Sequence, residues 1–204
     1  ITEGMNGTNI KAGWIKAGTQ YCYATPGEIK GLKAAARAAL ATGAAVHTHT
    51  DGGSFALEQL EIVLNEGLPG SQFGVAHIDR NPDFWLHKKI AESGVPYYIE
   101  VGNMPTTNDA LAFLMEQKHL TVAPSKAVNA CGVSVSELEM AQNAQRIYWT
   151  AEEVDAKMEA IMKNIYDASV EAAERYGLGY NLVAGANIAG FKKVADAMMA
   201  QGIF

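Results

Sequence analysis

The chain has 204 residues, a formal net charge of −6, five His and two Cys, with 49% hydrophobic and 19% charged residues. That length and composition suit one large or two small globular domains with a buried core. The negative balance argues against nucleic acid or an anionic membrane as partner, because neither offers a counter-charge.

Cys22 and Cys131 do not suggest a disulfide framework or a thiolate metal site, so a reducing, cytoplasmic setting is expected. No run approaches the twenty or so apolar residues of a membrane helix. The first residues do not read as a signal peptide.

Taken in chain order, the pattern is strand then helix, repeated. Short apolar strands are predicted near residues 10–16, 45–49, 73–78, 97–101 and 120–123. Thr25, Pro26 and Glu28 start the first helix. Ile29, Leu32, Ala36 and Leu40 share one of its faces, and Gly43 stops it. Ser54 is expected to open the second helix, lined by Leu57, Leu60 and Leu64 and ended by Gly67. Asp83 caps a third, and Thr106 or Thr107 a fourth. After Pro124 only helices are expected. Residues 134–146 form one. A second follows the capping box at Thr150–Glu153 and reaches Tyr176, with Glu153–Lys157 and Glu159–Lys163 as supporting pairs. The last starts near Asn187 and carries Ile188, Phe191, Val194 and Met198.

Strands joined through one helix run parallel with right-handed crossovers. The expected class is therefore α/β, with about five parallel strands and long C-terminal helices packing on the sheet.

Lys16, His49 and His77 each fall at the C-terminal end of a predicted strand. Neighbouring strands lie roughly 4.8 Å apart, so the three side chains can converge on the edge where α/β folds place their sites. Spacing alone leaves the plainer alternative open, that these are surface or satisfied core residues.

The stretches GTNIKAGWIK (7–16), KAAARA (33–38), VHTHT (46–50) and HIDRNPD (77–83) make residues 1–97 similar to the middle of the TIM barrel of phosphotriesterase-like hydrolases in the amidohydrolase superfamily. The resemblance implies Lys16 as a carbamylated metal bridge and His49 and His77 as metal ligands. One divalent ion, zinc by the donor types, would then be held, and the activity would be hydrolysis of an ester, lactone or phosphotriester. His47 and Asp51 are substitute ligands, with His47 expected to face away from His49. The family's first-strand His-x-His pair and eighth-strand Asp have no counterpart in this sequence, so weak turnover or none is expected.

A second set of stretches, NMPTTNDAL (103–111), APSKAVNA (123–130), EMAQN (139–143), WTAEEVD (149–155) and GANIAGF (185–191), makes residues 98–204 similar to the C-terminal part of glutamate dehydrogenase. The resemblance implies Asn103 near a nicotinamide ribose and Val133 and Ser136 in a glutamate pocket. Cys131 and Glu137 stand where that family usually has Gly. No G-x-G-x-x-G follows a strand, so a dinucleotide pyrophosphate has no cradle and NAD(P) is not expected.

The sequence thus reads as a chimera, a half TIM barrel joined to a half Rossmann-like domain, merged into one globular domain. Three functions follow. The first is a metal-binding hydrolase remnant taking a small molecule. The second is a catalytically inactive chimeric scaffold. The third is a nicotinamide oxidoreductase related to glutamate dehydrogenase. Should the Met- and Ile-rich stripes of the last helices stay uncovered, they would pair copies of the chain.

Overall fold

A computed structural model describes residues 1–103 and 105–202. Among them, strands and helices alternate as β1 (Trp14–Gly18), α1 (Pro26–Thr42), β2 (Ala45–His49), α2 (Ala56–Asn65), β3 (Phe73–Val75), α3 (Phe84–Glu92), β4 (Tyr97–Ile99), α4 (Asn108–Glu116) and β5 (Thr121–Ala123). Four helices follow: α5 (Ser125–Val128), α6 (Ala130–Gln145), α7 (Ala151–Arg175) and α8 (Leu182–Gln201). The expected α/β class is found, but the strands form two short sheets, ordered β1-β2-β3 and β4-β5.

β1 and β2 are parallel, in register from Trp14↔Ala45 to Gly18↔His49. β2 and β3 are parallel from Val46↔Phe73 to Thr48↔Val75. The Thr121 amide donates to the Pro96 carbonyl at 2.9 Å and the Glu100 amide to the Ala123 carbonyl at 3.1 Å. Both chains advance together between these bonds, so β4 and β5 are parallel too.

The chain divides into two compact units, Ile1–Tyr98 with Thr106–Thr121, and Ile99–Pro105 with Val122–Phe204. In the first unit, the start of α1 follows its sequence signals. The Thr25 hydroxyl accepts the Glu28 amide at 3.2 Å while the Glu28 carboxylate accepts the Thr25 amide at 2.7 Å. These bonds hold the Glu28 carboxyl below the usual range. Gly43 closes the helix at φ 74°, a left-handed conformation that costs glycine little. Leu32, Ala35, Ala36 and Ala39 are buried at helical spacing, and α1 packs on β1 and β2. From the sheet, Val46, Thr48 and Phe73 are buried.

Ser54 does not cap α2. Phe55 takes that place at φ 59°, and the Ser54 hydroxyl instead accepts the Cys22 amide at 3.2 Å. Asp83 caps α3 by accepting the Trp85 amide at 2.9 Å, and Thr107 rather than Thr106 caps α4. Thr106 is used otherwise. His87, 1% exposed, has Nε2 at 2.6 Å from the Asn81 carbonyl oxygen and Nδ1 at 3.1 Å from the Tyr98 hydroxyl. A carbonyl only accepts, so Nε2 carries a hydrogen and donates to it. The Tyr98 hydroxyl also shares a hydrogen bond with the Thr106 hydroxyl at 3.0 Å.

In the second unit, the buried Glu100 carboxylate accepts the Ser125 amide at 3.1 Å. A negative charge there complements the first turn of α5. The capping box at Thr150 and Glu153 starts α7 as expected. α6 and α8 begin earlier than predicted, at Ala130 and at Leu182, the latter capped by the Asn181 side chain on the Ala184 amide at 2.9 Å. α7 packs on α8, α6 and α5. It comes close to α8 at Gly185, where a methyl group would stand 1.9 Å from the Ser169 carbonyl oxygen. The expected Glu–Lys pairs give way to others. Lys163 pairs with Asp167, and Lys157 lies over the Trp149 ring at 4.6 Å. No described helix is long and apolar enough to cross a membrane.

Candidate functional site

Side chains alternate across a strand, so residues two apart share a face. In β2, Val46 and Thr48 are buried while Ala45, His47 and His49 point the other way, outer positions exposed and His47 half-buried. His47 therefore stands on the face of His49, against the expectation that it turns away. Parallel register adds Trp14, Lys16 and Gly18 from β1, opposite Ala45, His47 and His49, and Gly74 from β3, opposite His47.

Two glycines leave room for the imidazoles. A Cβ on Gly74 would come within 3.1 Å of the His47 ring, and one on Gly18 within 3.0 Å of the His49 Cβ. The Trp14 ring lies 4.3 Å from that of His47. Lys16 Nζ reaches His47 Nδ1 at 3.5 Å, a long hydrogen bond. His77 lies just beyond β3 with φ 68°, a left-handed conformation less costly for His than for most residues. Its ring meets that of His49 edge to face, centroids 4.8 Å apart.

The surrounding loops are tied to this edge. The buried Gln59 amide donates to the Thr19 hydroxyl at 2.7 Å and to the His49 carbonyl at 2.9 Å. Its Oε1 has no partner among the described groups. The Thr50 hydroxyl donates to the Ala76 carbonyl at 2.7 Å and accepts the Gly53 amide at 3.0 Å. Partial burial pushes the His47 pKa below its ordinary value, and the Lys16 and His77 charges push it further down. The Tyr21 hydroxyl is raised by its bond to Cys22, with a smaller push from Asp51.

His49 and His77 lie together, whereas Lys16 engages His47. Among the described residues, no three of His, Cys, Asp and Glu are placed to hold a metal ion. As a free amine, Lys16 brings an ammonium, which repels a divalent cation. Of the expected donors, His49 and His77 are the two whose rings the structure brings into contact. Sequence reading put Lys16, His49 and His77 at one edge, but it missed the second pairing and the roles of Gly18, Gly74 and Gln59. Strand period two, together with register, would have revealed His47.

In the second unit, Asn103 Oδ1 accepts the Asn129 side-chain amide at 2.7 Å. Val133 and Ser136 lie one helical turn apart on α6. Val133 is 69% exposed, and the Ser136 hydroxyl bonds back to the Gly132 carbonyl at 3.4 Å. A groove of about 540 Å³ runs along α1 past Lys30, Lys33 and Arg37, with no strand residue in its wall.

Residues 1–108 match the Phosphotriesterase family, and residues 85–202 match the Glutamate/Leucine/Phenylalanine/Valine dehydrogenase family. The NAD-specific glutamate dehydrogenase of Clostridium symbiosum is 69% identical over 116 residues, 57% of this chain and 26% of that protein. A solved glutamate dehydrogenase superposes on 93% of this chain and 49% of its own, at 41% identity and a TM-score of 0.63. A lactonase from Listeria monocytogenes covers 80% of this chain and 54% of its own, at 26% identity and a TM-score of 0.54. The chain spans about a quarter of the length of the curated relatives it matches.

Proposed function

Because the chain belongs to the Phosphotriesterase family over residues 1–108 and to the Glutamate/Leucine/Phenylalanine/Valine dehydrogenase family over residues 85–202, we propose that it is a fused α/β scaffold carrying neither parental turnover. One observation carries this reading: the described contact of Lys16 is with His47, while the His49 ring meets that of His77. Metal-assisted hydrolysis needs a held ion with an open position, and among the described residues no three of His, Cys, Asp and Glu are placed to hold one. On the dehydrogenase side, the sequence offers no glycine-rich turn to cradle a pyrophosphate. Asn103 is occupied with Asn129, and Val133 faces solvent.

A second reading is favoured by the 4.8 Å approach of the His49 and His77 rings. That spacing suits two imidazoles on one zinc ion, with Lys16 as third donor after conversion to a carbamate. Zinc content after loading and desalting decides between the two. The scaffold reading expects equal, substoichiometric zinc in the parent and in His49→Ala, no lactone or phosphotriester hydrolysis above buffer with zinc present, and no tryptophan quenching by NAD. One zinc per chain that disappears in His49→Ala establishes the second reading instead.

A further inference from the structure

Backbone hydrogen bonds show which way the residues of β1 turn. The Thr19 amide donates to the His49 carbonyl at 3.4 Å, so Thr19 faces β2. The neighbouring Thr48 carbonyl turns to the other side and accepts the Ala76 amide at 2.9 Å. Successive residues of a strand address opposite neighbours in this way. Ile15 and Ala17 therefore face β2, and the amides and carbonyls of Trp14 and Lys16 point away from it. β1 ends the order β1-β2-β3, and among the described residues those outward groups have no backbone partner. We propose that this edge is an interface: β1 pairs antiparallel with β1 of a second copy, about a twofold axis beside Ile15.

A row of free amides and carbonyls takes another extended strand, and an open edge invites it. In a closed barrel, which this half of the chain resembles, every strand has a neighbour on each side. A copy of β1 meets the requirement by itself, because antiparallel pairing sets its donors against its own acceptors. Only residues that point outward can oppose each other, so the register moves in steps of two residues. Lys16 opposite Lys16 of the second copy puts like charges together. Lys16 opposite Gly18 leaves it no side chain to pack on. Lys16 opposite Trp14 lays its stem along the indole and its amine near the ring face, and Trp14 is 56% exposed. That register repeats the Trp14–Lys16 pair on both sides of the axis and sets Ile15 against its own copy.

The contact uses the same patch on both copies, so it closes at two, and it joins two three-stranded sheets edge to edge. On either side of the axis, Trp14 and Lys16 exchange their amide and carbonyl bonds, as directly opposed residues do. So few bonds make a transient pair, read by covalent trapping rather than by mass. Ile15 and its copy stand between the hydrogen-bonded pairs. Cα atoms at such a position lie about 4.5 Å apart, within reach of a disulfide.

In the test, the full chain carries Cys22→Ser and Cys131→Ser to remove the native thiols, and Phe191→Glu with Met198→Glu so that α8 does not bring copies together. Ile15→Cys and Ala17→Cys, both at half-buried positions of β1, are compared in a glutathione redox buffer on non-reducing gels, each checked for folding by circular dichroism. Ile15→Cys is expected to give covalent dimer severalfold above Ala17→Cys. Two further changes should each abolish that excess. Lys16→Pro removes an outward amide, which an edge strand tolerates. Trp14→Lys sets lysine against lysine across the axis. Dimer formed equally at positions 15 and 17, more at 17, or not at all overturns the proposal. An excess that survives in either folded variant does the same.

Discussion

His47 is the residue on which the strand-end face turns. Its ring sits between Trp14, Lys16 and Gly74, and partial burial comes first among the causes that lower its pKa. A ring-proton titration should place its midpoint below the ordinary 6.5, and Lys16→Met should move the midpoint up toward that value. An unmoved midpoint would mean that Lys16 and His47 do not interact. The same depression has a sign for stability. The unfolded chain takes up protons first as pH falls, so the His47 contribution is present above the unfolded value and is lost as pH drops through the folded one. His49 and His77 were legible as strand-end residues. Their approach to each other was expected too, whereas the contact of Lys16 with His47 was not, because it depends on the β1–β2 register.

At the scale of elements, local signals and packing signals separate cleanly. Thr25 and Thr150 start α1 and α7 through capping boxes readable in four residues. The start of α8 was missed by five residues, because the apolar run from Ile188 hid the Asn181 cap. α6 was likewise placed four residues late, since Ala130–Val133 carry no cap signal in the sequence. The packing of α7 on α8 rests on Gly185, pressed against Ser169 and Ala173. Gly185→Ala gains helix propensity of up to about 1 kcal/mol where nothing obstructs it. Here the methyl group meets backbone oxygen at 1.9 Å, so a net loss of about 1–3 kcal/mol in urea unfolding is expected, the usual cost of overpacking. Unchanged or increased stability would show that the two helices separate easily at this point.

For the molecule as a whole, the question is what its apolar surface does. In the second unit, Phe191, Val194, Met198 and Met199 leave the C-terminal half of α8 exposed, Phe191 at 73% and Met199 at 83%. In the first, Trp14 and Tyr97 are exposed on strands, Tyr97 at 65%. On α8, the spacing of Phe191, Val194 and Met198 puts three exposed apolar side chains on one helical face, the kind of surface that favours self-association. Light scattering should therefore show a mass that rises with concentration, and Met198→Glu with Phe191→Glu should return it to the single-chain value. A concentration-independent single-chain mass for the parent would remove the case for pairing through α8.

By itself, the sequence determined which two families meet in this chain, the α/β class, the parallel direction of its strands and the starts of α1, α3, α4 and α7. These depend on motifs, periodicity and caps spanning a few residues, and such signals survive when segments are joined. Tertiary structure alone decided that five strands split into three and two, that Lys16 engages His47, and that buried His87 and Tyr98 link Asn81 to Thr106 through hydrogen bonds. Each of these is a choice among partners distant in sequence, fixed by register and by the volume available between side chains.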